Sequence, residues 1–110
     1  MDLTMNRGDI YWVDLEPTKG SEIRKKRPCV LVGATPINKA RKTVVVVPLS
    51  TAAKIHPPIT IGVKCLQQKV AAICDQIRTV DKSRLTNQAD VLSEKDLKAL
   101  DEGLRSTLCL

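Results

Sequence analysis

Between Lys19 and Arg27 the chain carries five cations, Lys19, Arg24, Lys25, Lys26 and Arg27, against the one carboxylate of Glu22. That is a net +4 within a chain total of +6. A loop this basic, tethered at both ends to strands, suits a polyanion, and nucleic acid is the obvious one. Arg27 stands directly before Pro28 and an apolar segment, so it is held more firmly than Lys25 or Lys26. A guanidinium fixed beside a strand engages two phosphate oxygens at once. The competing reading of the run is a solvated charge patch kept for solubility.

Two further groups carry chemistry. Ser50 and Thr51 follow an apolar run broken by Pro48, which places their hydroxyls at a rim within reach of a ligand, although hydroxyls are also common wherever a ladder stops. Asp75, Gln76 and Arg78 alternate with Cys74 and Ile77, projecting polar groups from one face; a structural hydrogen-bond network is the bland account. Asp14, Glu16 and Glu22 lie near the basic loop, but Asp14 and Glu16 share a strand face only if the strand continues to Pro17, and a third carboxylate converging on them is not evident, which argues against a magnesium site. The single histidine, His56, excludes mechanisms needing two imidazoles and argues against zinc. With Tyr11 and Trp12 the only aromatics, a recognition surface of several stacking rings is excluded.

The elements that must position these groups are short strands. Ile10 to Leu15 alternates, with Tyr11, Val13 and Leu15 on one face and Ile10, Trp12 and Asp14 on the other. Pro17 and Gly20 break the pattern, the loop runs to Pro28, and Cys29 to Val32 supplies a second strand. Gly33 to Lys42 reads as a connection. Thr43 to Val47 is a β-branched run suited to burial on both faces, with Pro48 marking a bulge or an end. Ile59 to Val63 and Val70 to Cys74 are further strands, and Gln76 to Val80 continues the latter or forms another. Asp81 caps a short helical turn through Leu85. A helix begins at Ser93, with Asp96 in an approximate capping box, Leu92 and Leu97 as a staple, and Leu97, Leu100, Leu104 and Leu108 as a stripe.

A chain of 110 residues fits one domain, 1–110, with a real core. The start, MDLTMNRGD, lacks an apolar signal region and no run is long enough to span a bilayer, so a soluble, cytoplasmic protein is expected. Cys29, Cys65, Cys74 and Cys109 are widely spaced among apolar neighbours and read as reduced core thiols.

These residues resemble the MazF/PemK (Kid) toxins of bacterial toxin-antitoxin systems. The resemblance covers the chain from Arg7 onward and rests on RGDIYWVDLEPTKGSE, on Arg27-Pro28 before an apolar strand, on VVPLST at Val46 to Thr51, on DQIRTVDKSRL at Asp75 to Leu85, and on the C-terminal amphipathic helix. It implies a mainly β (α+β) fold: a small SH3-like, CcdB/PemK-like β-barrel of five to seven strands with that helix and a short helical turn, usually as a homodimer.

It also implies metal-independent, sequence-specific cleavage of single-stranded RNA, with no cofactor. The 2′-hydroxyl attacks the adjacent phosphorus, leaving a 2′,3′-cyclic phosphate and a 5′-hydroxyl. Arg27 matches the family's catalytic arginine and Ser50 its catalytic Thr or Ser, while Asp75 is expected to act as a base or an RNA contact. Lys19, Ser21, Glu22, Arg24 and Lys25 occupy the loop that covers the RNA groove in relatives, and Thr51, Gln76 and Arg78 line it. The Kid branch uses a histidine in the first loop and an arginine before the Asp-Gln pair; here these positions hold Ser21 and Ile73, so the MazF-like pair fits better. The implied partner is an antitoxin whose acidic, disordered tail competes with RNA. Rival readings on the same barrel are a CcdB-like poison of DNA gyrase, against which the chain lacks a C-terminal Trp-Gly-Ile, and a non-catalytic RNA-binding module.

Overall fold

A computed structural model describes residues 4–16, 19–22 and 25–110. Among these the chain forms seven strands and two helices: β1 (Asp9–Asp14), β2 (Lys26–Leu31), α1 (Thr35–Ala40), β3 (Thr43–Ser50), β4 (Thr60–Cys65), β5 (Gln68–Ile73), β6 (Arg78–Asp81), β7 (Leu85–Val91) and α2 (Glu94–Leu108). Short 3₁₀ turns at Cys74–Gln76 and Lys82–Arg84 separate β5 from β6 and β6 from β7. Strand order is β4-β5-β3-β2-β1-β7, with β6 also paired to β3, and among the described residues these strands pair antiparallel.

Alternation along the strands divides the interior into two clusters. Ile10, Val30, Val47, Leu49, Val63 and Leu92 meet Leu100 and Leu104 of α2 on one side; Tyr11, Val13, Leu15, Cys29, Leu31, Val44, Val46 and Val80 fill the other. A sheet apolar on both faces must curl or be covered on both, and each such side chain taken fully from water contributes about 1.5–3 kcal/mol. The helix is started by Ser93, whose hydroxyl accepts the Asp96 N–H at 3.1 Å, as the capping pattern predicts. It lies so close to the sheet that a Cβ on Gly103 would stand 2.7 Å from Ile61 Cγ1. Leu108, on the expected apolar stripe, is exposed at the helix end.

Both strand prolines sit where the ladder can spare a donor. β2 begins at Lys26, three residues before the sequence expectation, and pairs with β3 only over Cys29–Leu31; Pro28 therefore has β1 alone as a ladder neighbour. β3 runs through Pro48 instead of stopping there. One edge of β3 pairs with β6 over Thr43–Val46 and with β5 over Leu49–Ser50, so Pro48 falls between two partners. That change of partner bends the sheet and carries Ser50 to its rim. The connection after Gly33 contains α1, with Pro36 in its first turn.

Candidate nucleic-acid interface

Arg27 and Ser50 line one cavity of about 220 Å³, together with Trp12, Lys26, Pro28, Thr51, Gln68 and apolar groups. The strands explain the meeting: the β2–β3 ladder ends at the Cys29–Pro48 pair, and Arg27 and Ser50 each lie two residues beyond that pair on their own strands. Thr51, the next residue, is exposed at the mouth.

Ser50 is buried, and its Oγ accepts the N–H groups of Ala52 and Ala53 at 3.2 Å each. A hydroxyl has two acceptor lone pairs and one proton. With both lone pairs engaged, the proton is what Ser50 offers, so its chemistry toward a ligand is donation. It is suited to a phosphoryl oxygen and unsuited to accepting a proton from a nucleophile.

Arg27 on β2 and Arg78 on β6 both act on the Cys29 thiol. Burial pushes that thiol up to about 12, and Arg78 and then Arg27 oppose the rise. Two guanidinium groups bearing on one point make the local potential positive where β2 meets β3.

Arg78 lines a second cavity, of about 190 Å³, with Leu15, Glu22, Pro48, Asp75, Gln76 and Ile77. Asp75 and Gln76 lie in the 3₁₀ turn after β5, where tight turning gathers polar groups that the alternation predicts on one face of a sheet. Asp75 is thus in a different cavity from Arg27 and Ser50, and Glu22 from the basic loop faces it.

The loop is built by carboxylates. Asp14 accepts the Glu16 N–H at 3.1 Å, Glu16 accepts the Lys25 N–H at 3.1 Å, and Glu22 accepts the Lys19 N–H at 2.6 Å. Gly20 at φ 58° and Ser21 complete the Lys19–Glu22 turn, closed by the Glu22 N–H donating to the Lys19 carbonyl at 3.2 Å. Lys25 itself adopts φ 70°, which turns the chain back into β2. Arg84, after β6, donates to the carbonyls of Asp14 and Glu16 and clamps the loop base. Lys19, Ser21 and Lys25 are exposed; Pro17 and Arg24 lie outside the described residues. Each of the three acidic groups near the basic loop thus holds one backbone N–H group.

Sequence reasoning missed Trp12, Lys26, Leu66 and Gln68 as neighbours of Arg27. Trp12 is the chain's one tryptophan and Lys26 adjoins Arg27, which are signals of a kind; nothing local connects the β4–β5 hairpin with this cavity. The cysteines are free thiols, Cys29, Cys65 and Cys74 buried as expected but Cys109 exposed after α2. No helix among the described residues is long and apolar enough to cross a membrane.

The PemK-like, MazF-like toxin family of type II toxin-antitoxin systems matches residues 6–108. Endoribonuclease MazF of Staphylococcus saprophyticus is 35% identical over 111 residues, spanning 96% of this chain and 92% of its own. Endoribonuclease MazF9 of Mycobacterium tuberculosis is 36% identical over 115 residues, spanning 96% and 98%. Among solved structures, MazF from Deinococcus radiodurans shares the fold with a TM-score of 0.87 at 22% identity, covering 99% of this chain and all of that one. A mycobacterial endoribonuclease in complex with its cognate antitoxin matches at 0.80 and 21% identity, covering 96% and 95%. On the extent of the family match and the identity to these relatives, the chain belongs to the PemK-like, MazF-like toxins of type II toxin-antitoxin systems.

Proposed function

We infer that the chain, as one domain over 1–110, is a sequence-specific endoribonuclease toxin that cleaves single-stranded RNA without a metal ion and thereby blocks translation. The observation that carries this reading is the joint lining of one cavity by Arg27 and Ser50 in a chain whose 35% and 36% identical relatives are endoribonucleases.

The reaction moves one proton and exchanges one phosphorus–oxygen bond. The 2′-oxygen bonds to phosphorus, the bond to the 5′-oxygen breaks, and the proton lost from the former is gained by the latter, giving a 2′,3′-cyclic phosphate and a 5′-hydroxyl. Negative charge gathers on the phosphoryl oxygens during attack, where a fixed guanidinium and a preset hydroxyl donor stabilise it most. Arg27 supplies the charge and Ser50 the hydrogen bond. Thr51 lies at the same mouth. Glu22, Asp75, Gln76 and Arg78 in the adjoining cavity contact neighbouring nucleotides, with Lys19, Ser21, Arg24 and Lys25 on the covering loop; Asp75 acts there as an RNA contact.

The partner is a cognate antitoxin with an acidic disordered tail, favoured by the toxin's +6 charge and by the antitoxin complex of the mycobacterial structure. The working form is a cytoplasmic homodimer.

Incubating the protein with a long unstructured RNA in excess EDTA, then sequencing the new ends, tests the reading. Cuts at a short recurring sequence with cyclic phosphate ends are expected. Folded Arg27→Ala protein should cleave roughly 10²- to 10³-fold more slowly; undiminished cleavage removes Arg27 from the mechanism. Intact RNA, or gyrase-dependent DNA breaks in its place, removes the ribonuclease reading.

A further inference from the structure

The cavity holding Arg27 and Ser50 extends past what phosphoryl chemistry uses. Its remaining wall includes Trp12, Pro28, Leu66, Gln68 and Val70. Trp12 and Pro28 are register partners on β1 and β2, so their rings stand side by side on one sheet face. The β4–β5 hairpin brings Leu66 and Gln68 to the same space.

That hairpin is unusual. Cys65 pairs with Gln68, leaving Leu66 and Gln67 as a two-residue turn at φ 52° and 64°, a conformation that favours Asn-Gly and strains leucine. Burial does not compensate: Leu66 is 54% exposed. The turn is held in place from β7, where Asp90 accepts the Leu66 N–H at 2.7 Å. An apolar side chain kept in a costly conformation, with its surface left in water at a cavity rim, marks a contact made to a ligand.

The geometry points to a nucleobase subsite. The base adjoining the phosphate held by Arg27 and Ser50 stacks on Trp12, is covered by Leu66, and is read along its edge by the Gln68 carboxamide, while Lys26 tracks the backbone. The inference rests on the ribonuclease reading above. An unstacked base needs an aromatic platform and a polar group that both donates and accepts, and the cavity supplies one tryptophan and one carboxamide. Its continuity with Ser50 and Thr51 favours a strand in which phosphate and base belong to neighbouring positions. An apolar peptide side chain would use the Trp12 wall but leave Gln68 and Lys26 without a role.

Trp12 emission reports on this cavity alone, since the chain has no other tryptophan. The full chain is titrated with a dye-labelled oligoribonucleotide spanning a mapped cut, 2′-deoxy at that cut so that it binds uncleaved, while dye anisotropy and Trp12 emission are followed. The expected result is a saturable Trp12 change that tracks anisotropy and disappears when a flanking nucleotide is made abasic. Leu66→Asn, which suits the positive φ, should melt no lower than the parent yet bind roughly 10-fold more weakly. Gln68→Leu should lose preference among bases at that position. Anisotropy rising without a Trp12 response, indifference to the abasic nucleotide at both flanks, or full affinity in Leu66→Asn overturns the subsite and leaves the ribonuclease reading intact. No anisotropy change at any concentration removes both. A Trp12 response to an acidic, tryptophan-free peptide of alternating Glu and Leu, with none to the RNA, gives the cavity to a protein partner and overturns the subsite.

Discussion

Ser50→Ala separates folding from chemistry at one atom. In the folded chain Ser50 Oγ accepts two backbone N–H groups, from Ala52 and Ala53, each at 3.2 Å. Bonds at the long end of the range contribute about 0.5 kcal/mol each, so the substitution should cost about 1 kcal/mol of stability. For a domain of this size that lowers the melting temperature by about 4 °C, too little to populate unfolded protein at 25 °C. On the proposed mechanism, loss of the donor to the phosphoryl oxygen should be a much larger effect, about 2.7–4 kcal/mol on the transition state, or 10²- to 10³-fold in rate. Because both lone pairs are engaged, Ser50 takes no proton from the 2′-hydroxyl, and the residual activity should keep the parent's pH profile. Initial rates on a fluorescently labelled RNA from pH 6 to 9, beside a thermal melt, measure both quantities. Ser50→Thr retains the hydroxyl and should recover most of the rate. Parental rates in the alanine variant refute the donor role, and a lost limb of the pH profile refutes the argument that Ser50 donates only.

Alkaline stability should follow the buried thiols. Cys29 is pushed up to about 12 from 9.0 by burial, so the folded chain keeps a proton that the unfolded chain releases; the stabilisation is complete below pH 9 and falls as pH rises from 9 toward 12. At pH 10 the loss from this group is about 1.4 kcal/mol. Cys29→Ala should remove that increment from the difference between urea midpoints at pH 8 and pH 10; an unchanged difference contradicts it. Gly103→Ala should destabilise despite a helix-propensity gain of about 1 kcal/mol, because the new Cβ meets Ile61 Cγ1 at 2.7 Å and Cys74 Sγ at 3.1 Å. Gly62→Ala meets the far ends of Lys69 and Ile55, which can swing away, so its melting temperature should fall less; the reverse order in thermal melts counts against the packing argument.

Much of the fold was legible because its causes are local. The period-2 alternation at Ile10–Leu15 named the two faces that the clusters later occupied, and the Ser93 cap with its leucine stripe named α2. β7 carries no strand pattern of its own, since Thr86-Asn87-Gln88 is exposed and polar and its extended form is imposed by β1 across the sheet. The start of β2 is hidden for a related reason: Lys26 and Arg27 look like loop, but β1 pairs with both.

By itself the sequence determined the concentration of positive charge, the strand and helix periods, and the candidacy of Arg27 and Ser50, all of which depend on neighbours along the chain. Only the tertiary structure decided that Arg27 and Ser50 share a cavity, that Asp75 lies in the next one, and that Leu66 and Gln68 reach the wall beside Trp12. Those outcomes depend on strand register. Register is chosen by which apolar side chains can be buried together and by which distant strand supplies each hydrogen bond, and neither choice is written in any short stretch of residues.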